Sequence, residues 1–179
     1  MIPLKIRVKI TGWLLLILAG TACSVKPKSL DVIYLIPEKF EGAVIVIYDQ
    51  KGANPPQIDE KSYILKVPND GIVKVNASEK DLNGIPKFIY VDGNGNKNEI
   101  EFLYRTNIRK LSNIRTEDDI SAKEKENKVF AMNYDINNFN TASGRVFVRN
   151  FLICKVKDGN LFASRDLPKK ITDFQKSYP

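Results

Sequence analysis

The run Ala43-Val-Ile-Val-Ile-Tyr48 constrains the fold more than any other part of the sequence. β-Branched side chains dominate it, and they favour extended backbone because a helix restricts their χ1 rotation. Gly42 precedes the run, and Asp49-Gln50-Lys51-Gly52 follows it with the composition of a turn. A membrane span would need about 20 apolar residues, many more than this run has. The run therefore predicts a short strand that is buried on both faces.

Other short apolar segments that end at turn residues predict a mainly β protein. We predict strands at residues 31–36, 62–67, 72–75, 87–91, 99–104, 144–149 and 151–156. Pro68-Asn-Asp-Gly71 is a strong turn signal, so residues 62–75 are expected to form a β-hairpin. Residues 31–36 and 43–48 flank a turn from Pro37 to Gly42 and are expected to be a second pair of core strands.

Residues 106–128 differ from the rest because they are poor in aromatic side chains and rich in charge. Thr116-Glu-Asp-Asp119 resembles a helix start, with a hydroxyl at the cap and acids in the first turn. It predicts a helical insertion at 117–127. Because helices do not alternate with strands, we expect a single β-sandwich-like domain, transthyretin-like or immunoglobulin-like, rather than a parallel α/β fold.

The N-terminal residues have the order of a secretory signal. Lys5, Arg7 and Lys9 give a positive charge, residues 13–19 are apolar, and small residues follow. The apolar part is shorter than a transmembrane helix. We therefore predict that residues 1–22 are a signal peptide that is removed.

Gly20-Thr21-Ala22-Cys23 resembles the lipobox of bacterial lipoproteins, although Gly20 stands where that family usually has Leu. The resemblance implies that the Cys23 thiol carries diacylglycerol and that Cys23 is the mature N-terminus. Cys154 is the only other cysteine, and it is expected to be an inert core residue. Two alternatives remain: an ordinary secretory signal that leaves Cys23 as a thiol, and a disulfide between the two cysteines.

We divide the chain into a lipoprotein signal at 1–22, a tether at 23–30, a β-sandwich domain at 31–165 and a C-terminal tail at 166–179. The tail is expected to be either a short helix or a loose segment. The chain has 28 Lys and Arg against 21 Asp and Glu. Removing the three basic residues of the signal leaves 25 against 21, a net charge of about +4, which is too mild to indicate nucleic-acid binding.

Residues 34–50, YLIPEKFEGAVIVIYDQ, resemble a family of uncharacterised bacterial secreted and lipoprotein domains with a YLIPExxxGxVxVxYDQ-type motif. We call these residues the fingerprint. Val67-Pro68, Gly71 and the turn at 90–93 are similar to that family as well, and the match covers about residues 32–104. The resemblance implies an envelope location and a β-rich domain, and it implies no reaction.

The chain contains no histidine, which excludes Ser-His-Asp and Cys-His catalysis and leaves little chance of a zinc site. Asp92-Gly-Asn-Gly-Asn96 is similar to the start of a calcium loop. However, Lys97 stands where that loop needs Gly, and Leu103 stands where it needs an acid. We therefore predict a hairpin turn, with no metal and no cofactor.

Asp49, Gln50 and Asp92 lie in predicted turns and are the candidate binding residues. The sequence favours a non-catalytic binding or assembly module, held to a membrane by lipid on Cys23, with an unknown envelope protein or glycan as its partner. In a Gram-negative cell it would lie at the outer membrane or the periplasmic face. The alternative is a carboxylate-dependent hydrolase of envelope glycans that uses acids such as Asp49, Glu99 and Glu101.

Overall fold

The computed structural model describes residues 30–59, 61–82, 84–104, 115–141 and 144–177. The strands are β1 (Asp31–Pro37), β2 (Gly42–Ile47), β3 (Gln57–Asp59), β4 (Ser62–Lys66), β5 (Ile72–Lys74), β6 (Pro86–Val91), β7 (Lys97–Ile100), β8 (Phe102–Leu103), β9 (Val129–Thr141) and β10 (Gly144–Lys155). They form a first sheet in the order β3-β4-β1-β6-β7 and a second sheet in the order β5-β2-β10-β9-β8. The predicted mainly β, sandwich-like fold is confirmed.

The described residues contain three α-helices, two 3-10 turns and one π-helical turn. A 3-10 turn (Glu117–Asp119) precedes α1 (Ala122–Asn127). After β10, a 3-10 turn (Val156–Asp158), α2 (Gly159–Leu161) and a π-helical turn (Phe162–Asp166) lead into α3 (Leu167–Ser177). We call residues 156–177 the C-terminal helical segment. Within the described ranges, no helix is long and apolar enough to cross a membrane.

The two sheets pack face to face through one apolar layer. Alternate side chains of β1 point into it, and Tyr34 stacks on Phe88 of its own sheet with ring centroids 5.4 Å apart. Phe151 of the second sheet lies 4.8 Å from the Tyr34 ring. Every residue of β2 is buried, as the run Ala43–Tyr48 predicts. The reason is that β2 has apolar groups on both faces.

The C-terminal helical segment covers the outer face of the second sheet. Phe174 is only 4% exposed and packs with Ile45 and Val148, which point away from the first sheet. Leu167, Ile171 and Phe174 recur at helical spacing, so α3 has one apolar stripe. Between the two expectations for the tail, the structure has the helix over Leu167–Ser177.

Both predicted strand pairs are wrong. β4 lies in the first sheet and β5 in the second, and the same holds for β1 and β2. The turns at residues 37–42 and 67–71 reverse the chain as predicted, but each carries it across the core from one sheet to the other. Composition identifies a turn, whereas the choice of sheet depends on which strands lie beside it. β1 instead pairs in parallel with β4 and β6.

Three further boundaries differ from the sequence prediction. The strand β9 (Val129–Thr141) was not predicted, because polar residues such as Asn137 and Asn138 disfavour strands. β10 is one strand with an irregularity between Asn150 and Leu152 rather than two strands. The predicted strand 99–104 breaks at Glu101, so that β7 belongs to the first sheet and β8 to the second.

The predicted helix at 117–127 is two pieces. The 3-10 turn ends before Ile120, which is 6% exposed and packs into the core beside Phe130. Ser121 then caps α1: its hydroxyl accepts from the Glu124 amide, and Glu124 accepts from the Ser121 amide. The predicted signal, Cys23 and nearly all of the tether lie outside the described residues.

Candidate functional site

The fingerprint contains a tight turn that is fixed to β6. Within it, the Phe40 amide donates to the Pro37 carbonyl at 3.1 Å, and Lys39 has a φ of 64°. The Tyr90 hydroxyl donates to the Phe40 carbonyl at 2.8 Å, and the Glu38 amide donates to the Val91 carbonyl at 3.0 Å. The turn is therefore held in one position at the end of the sandwich.

Ala43 connects the fingerprint to the C-terminal helical segment. One edge of β2 faces β5, and on that edge the Ile45 amide donates to the Gly71 carbonyl. β5 is too short to reach Ala43, whose backbone groups point to the same edge. Asp166 accepts the Ala43 amide hydrogen at 2.7 Å, and Lys170 donates to the Ala43 carbonyl at 2.6 Å. Two side chains of the helical segment thus satisfy the strand edge that β5 leaves open.

Two glycines allow this close approach. A Cβ on Gly71 would lie 2.5 Å from the Ala43 carbonyl oxygen and 2.8 Å from Lys170 Nζ. Gly71 also has a φ of 73°, which favours glycine. A Cβ on Gly42 would lie 3.1 Å from an Asp166 carboxylate oxygen. Gly42 and Gly71 therefore leave room for Asp166 and Lys170 beside Ala43.

A cleft of about 710 Å³ lies between the fingerprint turn and the helical segment. We call it the fingerprint cleft. It is lined by Pro37, Glu38, Lys39, Phe40, Glu41, Asn69, Leu161, Phe162, Arg165, Asp166, Lys169 and Lys170. Phe40, Leu161 and Phe162 supply apolar surface, and Lys170 Nζ lies 5.7 Å from the centre of the Phe40 ring. The cleft combines apolar area with charges of both signs, which suits a ligand with apolar and polar parts.

Several charged groups of the cleft have no ion pair within the part of the chain that the structure describes. Asp166 and Lys170 bind Ala43 and lie 3.5 Å from each other. Lys169 pairs with Asp173. Glu38, Lys39, Glu41 and Arg165 make no such pair there. These four side chains are available to a ligand.

A cluster of hydrogen-bonded polar side chains around Arg149 lies inside the sandwich. Arg149 is 1% exposed, and its guanidinium donates to Glu79 at 3.0 Å and to the Leu82 carbonyl at 2.7 Å. It also donates to the Tyr134 hydroxyl at 2.9 Å, and that hydroxyl lies 3.0 Å from the Tyr34 hydroxyl. The Tyr134 ring lies 4.7 Å from the guanidinium carbon. This cluster fastens the loop that contains Glu79 and Leu82 to the core.

Burial controls the titration of the hydroxyls around Arg149. It raises the pKa of Tyr34, Tyr48 and Tyr134 because the phenolate would lose its hydration, and the positive charge of Arg149 offsets only part of that effect. The Cys154 thiol is fully buried, and burial raises its pKa to about 12. A thiol in this state is a poor nucleophile. The three tyrosine hydroxyls and the Cys154 thiol therefore have the properties of core residues.

The structure does not bring the predicted binding residues together. Asp92 follows β6 at the end of the first sheet where Pro37 lies. β2 begins at that same end and runs away from it, so Asp49 and Gln50 lie at the opposite end of the sandwich. Asp49 is exposed with a φ of 56°, and Gln50 donates to the Tyr48 carbonyl at 2.8 Å.

Asp92 uses its carboxylate within its own turn. It accepts from the backbone amides of Asn94 and Asn96 at 2.9 and 2.8 Å and from the Asn96 side chain at 2.8 Å. These bonds lower the pKa of Asp92, with the Asn96 side chain as the largest cause. The described residues contain no group of three or more His, Cys, Asp or Glu that could hold a metal ion.

The acids suggested for catalysis do not line the fingerprint cleft. Glu99 lies on the solvent face of β7, and Asp49 follows a strand of the other sheet. Glu101 binds Arg115 at 3.1 Å and Lys128 at 2.7 Å. Asp49 therefore follows a strand of a different sheet from Glu99, and two cationic side chains already bind the Glu101 carboxylate.

The sequence alone predicts neither the fingerprint cleft nor the buried cluster around Arg149. The fingerprint cleft depends on Phe162, Arg165, Asp166 and Lys170, which lie in a weakly patterned part of the sequence. Arg149 had a usable signal, because a charged residue between Val148 and Phe151 interrupts a nearly continuous apolar run.

Comparison with known proteins identifies relatives of the fold and sequence. The model of the "Family of unknown function (DUF6843)" matches residues 28–142. The crystal structure of a "Putative Lipoprotein from Bacillus anthracis" superposes with a TM-score of 0.55 and 16% sequence identity, over 82% of this chain and 92% of that chain. At that identity the likeness concerns the fold alone. No curated protein sequence matches the chain significantly.

The family match and the folded unit end at different places. Residue 142 follows β9, whereas β10 lies at the centre of the second sheet between β2 and β9. The matched region therefore lacks the strand that joins β2 to β9, and it lacks the helical wall of the fingerprint cleft.

Proposed function

The chain belongs to this family of unknown function (DUF6843), and from that premise we propose that it is a lipid-anchored envelope protein whose folded part is a non-catalytic binding module. In this proposal residues 1–22 are the signal, residues 23–30 are the tether, Cys23 carries the lipid, and the ligand binds in the fingerprint cleft. An envelope protein or glycan is the expected class of partner.

Two observations support the anchor. Gly20-Thr21-Ala22-Cys23 has the small residues and the cysteine of a lipobox, after a basic and then an apolar stretch. The fold is similar to that of the "Putative Lipoprotein from Bacillus anthracis". A diacylated cysteine provides two acyl chains, enough for stable attachment without a transmembrane helix.

The fingerprint cleft is the observation that carries the binding role. Its turn is fixed by Tyr90, and its helical wall is fixed by the two bonds to Ala43, so the apolar floor around Phe40 is organised before a ligand arrives. Preorganised surface lowers the entropic cost of binding. Lys39 and Arg165 stand at the cleft with no ion pair in the described ranges. The hydrolase alternative gains no support from this cleft, because Asp49, Glu99 and Glu101 do not line it.

Detergent phase partition of the full chain tests the anchor. Wild-type protein from native membranes is expected in the detergent phase, and Cys23→Ala is expected in the aqueous phase. Partition of both proteins into the aqueous phase would contradict the anchor.

A pull-down from detergent-solubilised native membranes tests the binding role. We expect wild-type protein to recover a stoichiometric partner and Lys39→Glu/Arg165→Glu to lose it. The control is Lys51→Glu/Lys123→Glu, which makes the same change of net charge at exposed residues outside the cleft. Recovery of the same partner by all three proteins, or by none of them, would contradict binding in the fingerprint cleft.

A further inference from the structure

We propose that the end of the sandwich where β1 begins lies against the lipid surface, with Ile58 and Ile85 in contact with the bilayer. This inference rests on the lipid anchor proposed above. It adds which surface meets the membrane and which direction the fingerprint cleft faces.

Ile58 and Ile85 are unusually exposed for their size. Their exposed fractions are 66% and 69%, whereas the other exposed large apolar side chains of the described ranges, Ile136 and Leu161, are 49% and 47% exposed. Leu161 has a place in the fingerprint cleft. Ile58 and Ile85 do not line that cleft, and both side chains are exposed enough to contact an apolar partner.

Strand register places the two isoleucines at the same end of the first sheet. Ile58 pairs with Tyr63, and Tyr63 pairs with Val32, the second residue of β1. On the other side of β1, the Val32 amide donates to the Ile85 carbonyl at 3.1 Å. Three strand spacings separate the two residues across the sheet, or about 14 Å. They therefore lie at the same end of the first sheet, beside the start of β1, and this end is the surface that we propose meets the lipid.

The chain arrives from the lipid at this same surface. Cys23 is eight residues before Asp31, and eight extended residues span at most about 28 Å. A lipid on Cys23 thus keeps the start of β1 near the bilayer. Because of this attachment, residues beside Val32 encounter the lipid at a high effective concentration. Weak apolar contacts then suffice to hold this end of the sandwich against the bilayer.

The described charged residues nearest the two isoleucines carry both signs. Asp31 pairs with Lys87 at 3.2 Å, and Asp59 and Lys61 lie two positions apart in the sequence. A surface with balanced charge gains little from anionic lipid. The expected occupant is accordingly the apolar boundary of a bilayer, and the contact should not require anionic headgroups.

The contact determines where the fingerprint cleft points. β1 runs from the proposed membrane surface to Pro37 at the cleft, and its seven residues span about 20 Å. The cleft then lies at the far end of the sandwich and faces away from the lipid, where a large partner can reach it. Asp49 lies at the membrane end.

Environment-sensitive fluorescence on the lipidated full chain tests the contact. Ile58→Cys and Ile85→Cys are each labelled with a nitrobenzoxadiazole dye, and the proteins are reconstituted in phosphatidylcholine vesicles that contain spin-labelled lipid. Cys154 is buried and stays unlabelled in the folded protein. The matched controls are Lys39→Cys at the cleft and Glu99→Cys on the solvent face of the first sheet. Vesicle flotation of each protein measures attachment independently.

We expect blue-shifted emission and strong quenching by spin-labelled lipid at positions 58 and 85, and neither at 39 and 99. Replacing part of the phosphatidylcholine with phosphatidylglycerol should leave the quenching unchanged. Protein that floats but shows no quenching at 58 and 85, or shows it at 99 instead, would overturn the contact and leave the anchor standing. Emission shifts without quenching by spin-labelled lipid would indicate a second copy and also overturn it. Failure to float would overturn the anchor and this inference together.

Discussion

Asp166 accepts the amide hydrogen of Ala43 at 2.7 Å across 123 positions of the sequence. With the bond from Lys170 to the Ala43 carbonyl, it joins the fingerprint to the C-terminal helical segment. The same contact satisfies a strand edge and builds one wall of the fingerprint cleft. It makes the cleft and the stability of the fold depend on each other.

Asp166→Ala is expected to lower the free energy of unfolding by about 1–3 kcal/mol, because the buried Ala43 amide loses its acceptor. Urea titration followed by circular dichroism measures the loss. The matched control is Asp173→Ala, which removes an exposed ion pair with Lys169 and should cost less than about 1 kcal/mol. Equal losses in the two variants would argue against a role for Asp166 in holding the segment.

Gly71→Ala is expected to destabilise the protein more than Gly52→Ala. Both positions have positive φ, 73° and 88°, so both substitutions strain the backbone by about 1 kcal/mol or more. Only the Cβ at 71 would also contact the Ala43 carbonyl and Lys170, whereas nothing lies within 4 Å at 52. The two midpoints of thermal unfolding measure the difference. Coinciding midpoints would show that the close approach at Gly71 is not needed.

Arg149→Met is expected to cost about 3 kcal/mol, because it leaves Glu79 and the Leu82 carbonyl without their donor. The double variant Arg149→Met/Glu79→Gln should lose less than the sum of the two single losses, since neither charge is then left alone. Arg145→Met, at an exposed position of β10, is the control. Denaturant unfolding of the four proteins measures the coupling, and additive losses would contradict a buried ion pair.

Alkaline pH should destabilise the protein through its buried tyrosines. The pKa values of Tyr34, Tyr48 and Tyr134 are higher in the folded protein than in the unfolded chain, where they are near 10. The stabilisation is therefore complete below about pH 10, and it is lost as pH rises from there towards the folded pKa values, by about 1.4 kcal/mol per pH unit and group.

Tyr48→Phe is the control for alkaline unfolding. The Tyr48 hydroxyl is buried and makes no hydrogen bond within the described residues, so its removal should cost little near neutral pH. The variant should also lose stability less steeply above about pH 10 than wild-type protein. Urea midpoints measured over that range test both points, and wild-type midpoints that do not change would contradict the raised pKa values.

An element could be predicted from the sequence when residues close to it in the chain determine its structure. The strand at Ala43–Tyr48 was predictable, since its own side chains favour extended backbone and burial. β9 was not, since Asn137 and Asn138 adopt the strand only because β10 pairs along them. Turn composition at 68–71 gave the reversal but could not say that β4 and β5 join different sheets.

The candidate site was less predictable than the fold for the same reason. The sequence indicates Asp49 and Asp92 as candidates because each lies in a turn formed by neighbouring residues. The fingerprint cleft instead brings together Phe40 and Arg165, which are far apart in the sequence. The sequence around Gly71 indicates a turn. The second role of Gly71, space for Lys170, becomes visible only when the helical segment is in place.

The intact mass of protein purified from native membranes tests the central claim, lipid attachment at Cys23, most directly. We predict the mass of residues 23–179 plus diacylglycerol on Cys23, with any further N-terminal acyl group as an additional fixed increment. A mature chain that begins elsewhere, retains residues 1–22, or carries Cys23 as an unmodified thiol would contradict it.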